Sequence, residues 1–110
     1  MTEMLRVLIV DDHAAIRAGV RSVLESAGDM NVVGEAATAE AVLGMVQRRR
    51  PQVITMDINL GTGASGIDTI HEVLAEQPDV GVLIFTAFGE RQLLTESLDS
   101  GARGFLVKEI

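Results

Sequence analysis

Short unbroken apolar runs alternate along this chain with stretches whose apolar residues recur at helical spacing, and this alternation restricts the fold more than any other feature of the 110 residues. A short apolar run bounded by turn signals reads as a buried strand, and recurrence every three to four residues reads as an amphipathic helix. Strands separated by helices pair in parallel, because only a crossover returns the chain to the same edge. The first strand is expected over Leu5 to Val10, followed by a helix with Ile16, Val20, Leu24 and Ala27 on one face and Gly28 as its stop. A second strand fits Asn31 to Ala36. A helix from Ala39 to Arg49 turns Val42, Leu43 and Val46 inward and ends at Pro51. Gln52 to Asp57 forms a central strand, and the glycine-bearing loop Leu60 to Gly66 leads into a helix carrying Ile67, Ile70 and Leu74, closed by Pro78. Val80 to Thr86 is the fourth strand. A helix from Glu90 to Asp99, with Leu94 and Leu98 inward and Gly101 as its stop, precedes the last strand, Arg103 to Val107.

Right-handed crossovers arrange such a chain as a doubly wound, flavodoxin-like five-stranded sheet of order 2-1-3-4-5. That plan has a helix after the fifth strand. The chain is therefore expected to be a single domain over 1–110 that stops before its final helix, leaving one side of the third to fifth strands uncovered and inviting self-association through that face.

Composition narrows the function classes. Aromatic residues supply only 3% of the chain, so there is no stacking platform for single-stranded nucleic acid, and a net charge of −7 opposes phosphate backbones. The chain has no Cys, no apolar run of membrane-spanning length and no signal-peptide pattern, which suggests a cytoplasmic location away from membranes.

Charged residues sit where three of the strands end: Asp11 and Asp12 after Val10, Asp57 after Met56, and Lys108 after Val107. Singly, each has an ordinary explanation: a helix cap, a solvated acid, a surface lysine. Together they mark one edge of a parallel sheet, where open α/β folds place their sites. Clustered acids repel one another, so the arrangement points to a divalent cation with the lysine as counter-charge. The Asp-Asp-His turn after the first strand lacks the glycines that cradle a nucleotide phosphate, which disfavours a nucleotide site. His13 and His71 read as exposed imidazoles, and Arg48 to Arg50 as cations favoured by a helix C-terminus.

The residues Val7-Leu8-Ile9-Val10-Asp11-Asp12-His13 with Arg17 and Gly19, then Asp57, Thr86-Ala87 and Gly101 to Lys108, closely resemble the receiver domain of two-component response regulators. Within that family they resemble the branch that precedes a helix-turn-helix DNA-binding domain. The resemblance implies that Asp57 accepts a phosphoryl group from a sensor histidine kinase. It also implies that Mg²⁺ is held by Asp12, Asp57 and the backbone carbonyl of Asn59, with Asp11 acting through water. Lys108 would pair with the phosphoryl group, Thr86 would donate its hydroxyl to it, and Phe105 would turn inward as the switch. Asn59 and Phe88 would flank the path of the hydrolytic water, with Phe88 excluding it. On this reading the chain is a phosphoacceptor and not an enzyme, and it reaches DNA only through an output domain outside it. The alternatives are a small Mg²⁺-dependent phosphatase with an aspartyl-phosphate intermediate and an inactive interaction module. One departure from the family pattern is the loop after Asp57, where Leu60-Gly61 replaces a Met-Pro pair and one residue is inserted before Gly66. A more mobile loop beside the metal is expected.

Overall fold

A computed structural model describes residues 4–60, 66–87, 89 and 91–108. In chain order the elements are β1 (Leu5–Val10), α1 (Ala14–Ser26), β2 (Met30–Ala36), α2 (Ala39–Arg49), β3 (Val53–Met56), α3 (Gly66–Glu76), β4 (Gly81–Thr86), α4 (Arg91–Asp99) and β5 (Gly104–Val107). The strands form one parallel sheet of order β2-β1-β3-β4-β5. Element boundaries fall within one residue of the sequence reading in most cases. The helix ends use the expected devices: Thr38 caps α2 by accepting from the Ala41 amide at 3.3 Å, and Gly28 and Gly101 follow α1 and α4 at φ 86° and 111°, which other residues rarely adopt.

The two faces of the sheet are packed unequally. Leu8 and Val10 from β1, Ile54 and Met56 from β3, and Val82 and Ile84 from β4 meet Val42 and Val46 of α2 and Ile70 and Val73 of α3 in one large core. The opposite face holds a small cluster of Val7, Ile9 and Val32, with Val20 and Leu24 of α1 packed against it. No residue of α1 is fully buried. Beside this helix lies an apolar hollow of about 470 Å³ lined by Ile16, Val20, Val23, Leu83, Phe85 and Leu106. Among the described residues no helix follows β5.

Along β4, Val82 and Ile84 are buried in the larger core, while Leu83 and Phe85 on the other face are half-buried and line the hollow beside α1. One helix is rotated from its expected face. Leu98, read as inward, is 44% exposed, while Ser97 is the buried residue of α4 and Leu93 packs on the core. Ala102, itself buried, donates its amide to the Ser97 carbonyl at 3.0 Å, and a small side chain at that contact lets the end of α4 lie close to the start of β5.

Candidate functional site

Strand geometry places the charged residues. Asp11, Asp57 and Lys108 are each the first residue beyond a strand, yet each amide still joins the ladder of the neighbouring strand: Asp11 to the Ala36 carbonyl at 3.0 Å, Asp57 to that of Val10 at 3.0 Å, Lys108 to that of Thr86 at 2.7 Å. Their side chains thus project from fixed backbone at the carboxyl edge of three different strands.

The two aspartates are held alike. In each, Oδ1 accepts the amide two residues on, His13 at 2.9 Å for Asp11 and Asn59 at 3.1 Å for Asp57. Such a turn is a habit of aspartate and sets the side-chain rotamer. In each, Oδ2 accepts from the Lys108 ammonium, at 2.5 Å for Asp11 and 3.0 Å for Asp57. All three side chains are nearly out of water, at 6% exposure for Lys108, 4% for Asp11 and 5% for Asp57. Burial alone would lower the lysine's pKa. The hydrogen bonds to Asp11 and Asp57 and their charges outweigh it, so the ammonium stays protonated to a pH above its ordinary range. Lys108 lies beyond β4, and to reach β3 and β1 its ammonium passes 5.5 Å from the centre of the Phe85 ring.

Asp12 lies on the wet side of this cluster, and donor atoms of Asp11, Asp12, His13 and Asp57 all fall within 4.8 Å of one another. His13 is 68% exposed, as read from the sequence, but its Nδ1 also stands 2.9 Å from an Asp12 oxygen and 3.3 Å from Asp11 Oδ1. Three carboxylates thus face one ammonium, and the surplus is negative. Hard oxygen donors of this kind suit a small divalent cation that keeps part of its water shell, so the residues present fit Mg²⁺.

Thr86 ends β4 fully buried, and Phe105 is half-buried against the larger core, opposite Ile84 in register. Asn59 is exposed beside Asp57. Gly66 presses on the back of the same turn: its amide donates to the Ile58 carbonyl at 3.1 Å, and a Cβ there would stand 2.7 Å from the Ile58 Cα. Phe88 and residues 61–65 of the altered loop, singled out in the sequence, lie outside the described residues. Two contacts were not foreseen from the sequence, the Phe85 ring beside the ammonium and Arg17 Nη1 donating to the Asp11 carbonyl at 2.8 Å. Arg17 carried a signal only as part of the family-like pattern.

Comparison with known proteins agrees with this geometry. The sequence matches the response regulator receiver domain over residues 7–110. It is 33% identical over 107 residues to the DNA-binding transcriptional activator DevR/DosR of Mycobacterium tuberculosis, covering 97% of this chain and 49% of that protein. The chain spans about half the length of the curated transcriptional regulators it matches. Among solved structures, a two-component response regulator of the LuxR family from Aurantimonas superposes with a TM-score of 0.91 at 28% identity, over 97% of this chain and 76% of that one. The isolated receiver domain of RcsB from Salmonella enterica serovar Typhimurium, solved in the presence of the phosphomimetic BeF₃⁻, superposes with a TM-score of 0.88 at 25% identity, over 96% of this chain and 78% of that one. Sheet order, the acidic edge and the match over nearly the whole length lead to one assignment: the chain belongs to the receiver-domain family of response regulators.

Proposed function

We propose that this domain is a phosphorylation-controlled switch whose Asp57 accepts a phosphoryl group from the phosphohistidine of a sensor kinase. The observation that carries the reading is the Asp57 carboxylate, buried at the end of a central strand with Oδ1 on the Asn59 amide and Oδ2 on Lys108. A carboxylate held at both oxygens is oriented before its partner arrives, which removes much of the entropic cost of in-line attack. In the transfer an Asp57 oxygen forms a bond to phosphorus, the bond from phosphorus to the imidazole nitrogen breaks, and that nitrogen takes up a proton from solvent. Lys108 offsets the charge on the phosphoryl oxygens as they come in beside Asp57. Asp12, Asp57 and the Asn59 carbonyl would hold Mg²⁺, with Asp11 acting through a water. When bound, the ion neutralises the acids that would otherwise repel an anionic donor.

Thr86, at the end of β4, would direct its hydroxyl to the new phosphoryl group, and Phe105 on the adjacent strand would repack in response. The chain would then act as the receiver part of a longer cytoplasmic transcriptional regulator, DNA contact falling to a separate output domain. The RcsB receiver structure with a phosphomimetic supports this by analogy.

Incubation with acetyl phosphate and Mg²⁺, followed by intact-mass measurement, tests the reading. The wild-type chain should gain one phosphoryl group per molecule and hold it, whereas a phosphatase would turn over donor without accumulating the adduct. Asp57→Asn should gain none, because an amide keeps the shape but is no longer a competent nucleophile. An adduct that persists in Asp57→Asn would place the acceptor elsewhere.

A further inference from the structure

Asp12 is the exposed member of the acidic cluster, and what aims it lies in the backbone just before it. Asp11 is held at four atoms: its amide by Ala36, Oδ1 by the His13 amide, Oδ2 by Lys108, and its carbonyl by Arg17. The last of these acts on the peptide unit that joins Asp11 to Asp12. Fixing that carbonyl fixes the plane of the peptide, and hence the direction in which Asp12 leaves it.

Arg17 is well placed to do this. It is on the first turn but one of α1, its side chain is 19% exposed, and its Nε donates to Glu35 Oε1 at 3.1 Å while Nη1 reaches Asp11. Glu35 is in turn held by Arg21 Nε on its other oxygen at 2.8 Å. Glu35 directly precedes Ala36, the residue that receives the Asp11 amide, so β2 grips Asp11 twice, once through its backbone and once through Arg17. The start of α1 offers no substitute: His13 makes no side-chain cap and the first turn has no acidic residue.

We infer that Arg17 is a positioning residue for the cation site, holding the Asp11–Asp12 peptide so that the Asp12 carboxylate faces the metal. The inference rests on the proposed Mg²⁺-dependent function and adds a residue to it. Two simple roles for Arg17 predict opposite signs. A guanidinium beside a cation site repels the cation, so if charge were its only effect, removing it would tighten Mg²⁺ binding. If Arg17 sets the peptide plane, removing it loosens binding, and residues behind metal ligands typically matter by about 10- to 100-fold.

Calorimetric titration with MgCl₂ suits the 110-residue chain, which has no Trp or Tyr to report binding optically. Arg17→Met should weaken Mg²⁺ binding by about 10-fold. Arg17→Lys should fall between, since an ammonium keeps the charge but cannot fork between Asp11 and Glu35. Arg21→Met, which disturbs the same ion-pair network without touching Asp11, should bind as the wild type does. An Arg17→Met protein that binds Mg²⁺ as tightly as wild type, or more tightly, overturns the inference. Amide hydrogen exchange without metal gives a second reading: exchange at Asp12 and His13 should quicken in Arg17→Met and not in Arg21→Met, and unchanged exchange also overturns it. If the wild type itself takes up no Mg²⁺, the proposed function fails, and the metal-free exchange decides the role of Arg17 alone.

Discussion

The two ends of this sheet are both laced across strands by polar groups, but they do so by different means. At the amino end Arg6 donates from Nε and Nη2 to the Arg50 carbonyl at 3.1 and 3.0 Å, the Arg6 amide meets the Gln52 side chain, and Gln77 donates to the Pro51 carbonyl at 2.6 Å. The charge there is an exposed guanidinium whose acceptor is backbone. At the carboxyl end, Asp11, Asp57 and Lys108 are charged and almost wholly out of water. Neutral and backbone bonds at the first end show that this sheet can be closed without buried ions. Burying ions costs several kcal/mol of hydration that pairing only partly returns, so stability does not account for the second end. Buried charge at the carboxyl end is better explained by what it would bind.

Lys108→Met attacks the comparison hardest. It leaves Asp11 and Asp57 buried with no counter-charge, and unfolding in metal-free buffer at neutral pH should show a loss of about 3 kcal/mol. Added Mg²⁺ should restore part of it. The same variant has a pH signature. Because the folded-state pKa of Lys108 is raised, its stabilisation is complete below the unfolded value of about 10.4 and is lost as pH rises through the higher folded value. Wild-type stability should therefore fall in that alkaline range by an increment that Lys108→Met lacks, and parallel denaturant melts from neutral to alkaline pH would show whether it does.

At the amino end the effects should be smaller and separable from function. Arg6→Ala removes two exposed donations to one carbonyl and should cost about 1 kcal/mol in a urea melt, with Mg²⁺ uptake unchanged. Arg50 stands at φ 47° after α2, where glycine fits without strain, so Arg50→Gly should raise stability by roughly 0.5 kcal/mol. A metal or phosphorylation defect in either variant would dissolve the contrast between the two ends.

Most of the fold could be read from the chain because local signals agreed with the global plan. The runs at 7–10, 53–56 and 81–86 became adjacent strands, so the charges that follow the first two, with Lys108, met at one edge. What could not be read depended on contacts between elements. Leu94 and Leu98 form as regular a stripe as any in the sequence, yet the close approach of Ser97 and Ala102 turned α4 so that Leu98 faces water. Apolar spacing specifies that a helix has a buried face, but where two stripes compete the neighbouring packing chooses. Arg17 was hidden for a different reason: it bonds to a backbone carbonyl six residues away in a loop, a separation that follows no helical or strand period. The thinner cover on one side of β4 was expected from the sequence, and Leu83 and Phe85 are only half-buried there.

The most direct test of why charge is buried at the carboxyl end is the thermal unfolding, with and without Mg²⁺, of the wild type and of the triple variant Asp11→Asn, Asp57→Asn, Lys108→Met. The triple variant keeps the shapes and removes the buried ions. If the charges serve a ligand, the metal-free variant should melt at or above the wild type, and Mg²⁺ should raise the wild-type midpoint alone, as it does for any ligand that binds only the native state. A triple variant that melts far below the wild type in metal-free buffer, together with a wild type indifferent to Mg²⁺, would show that the charges hold the fold together and would contradict the account.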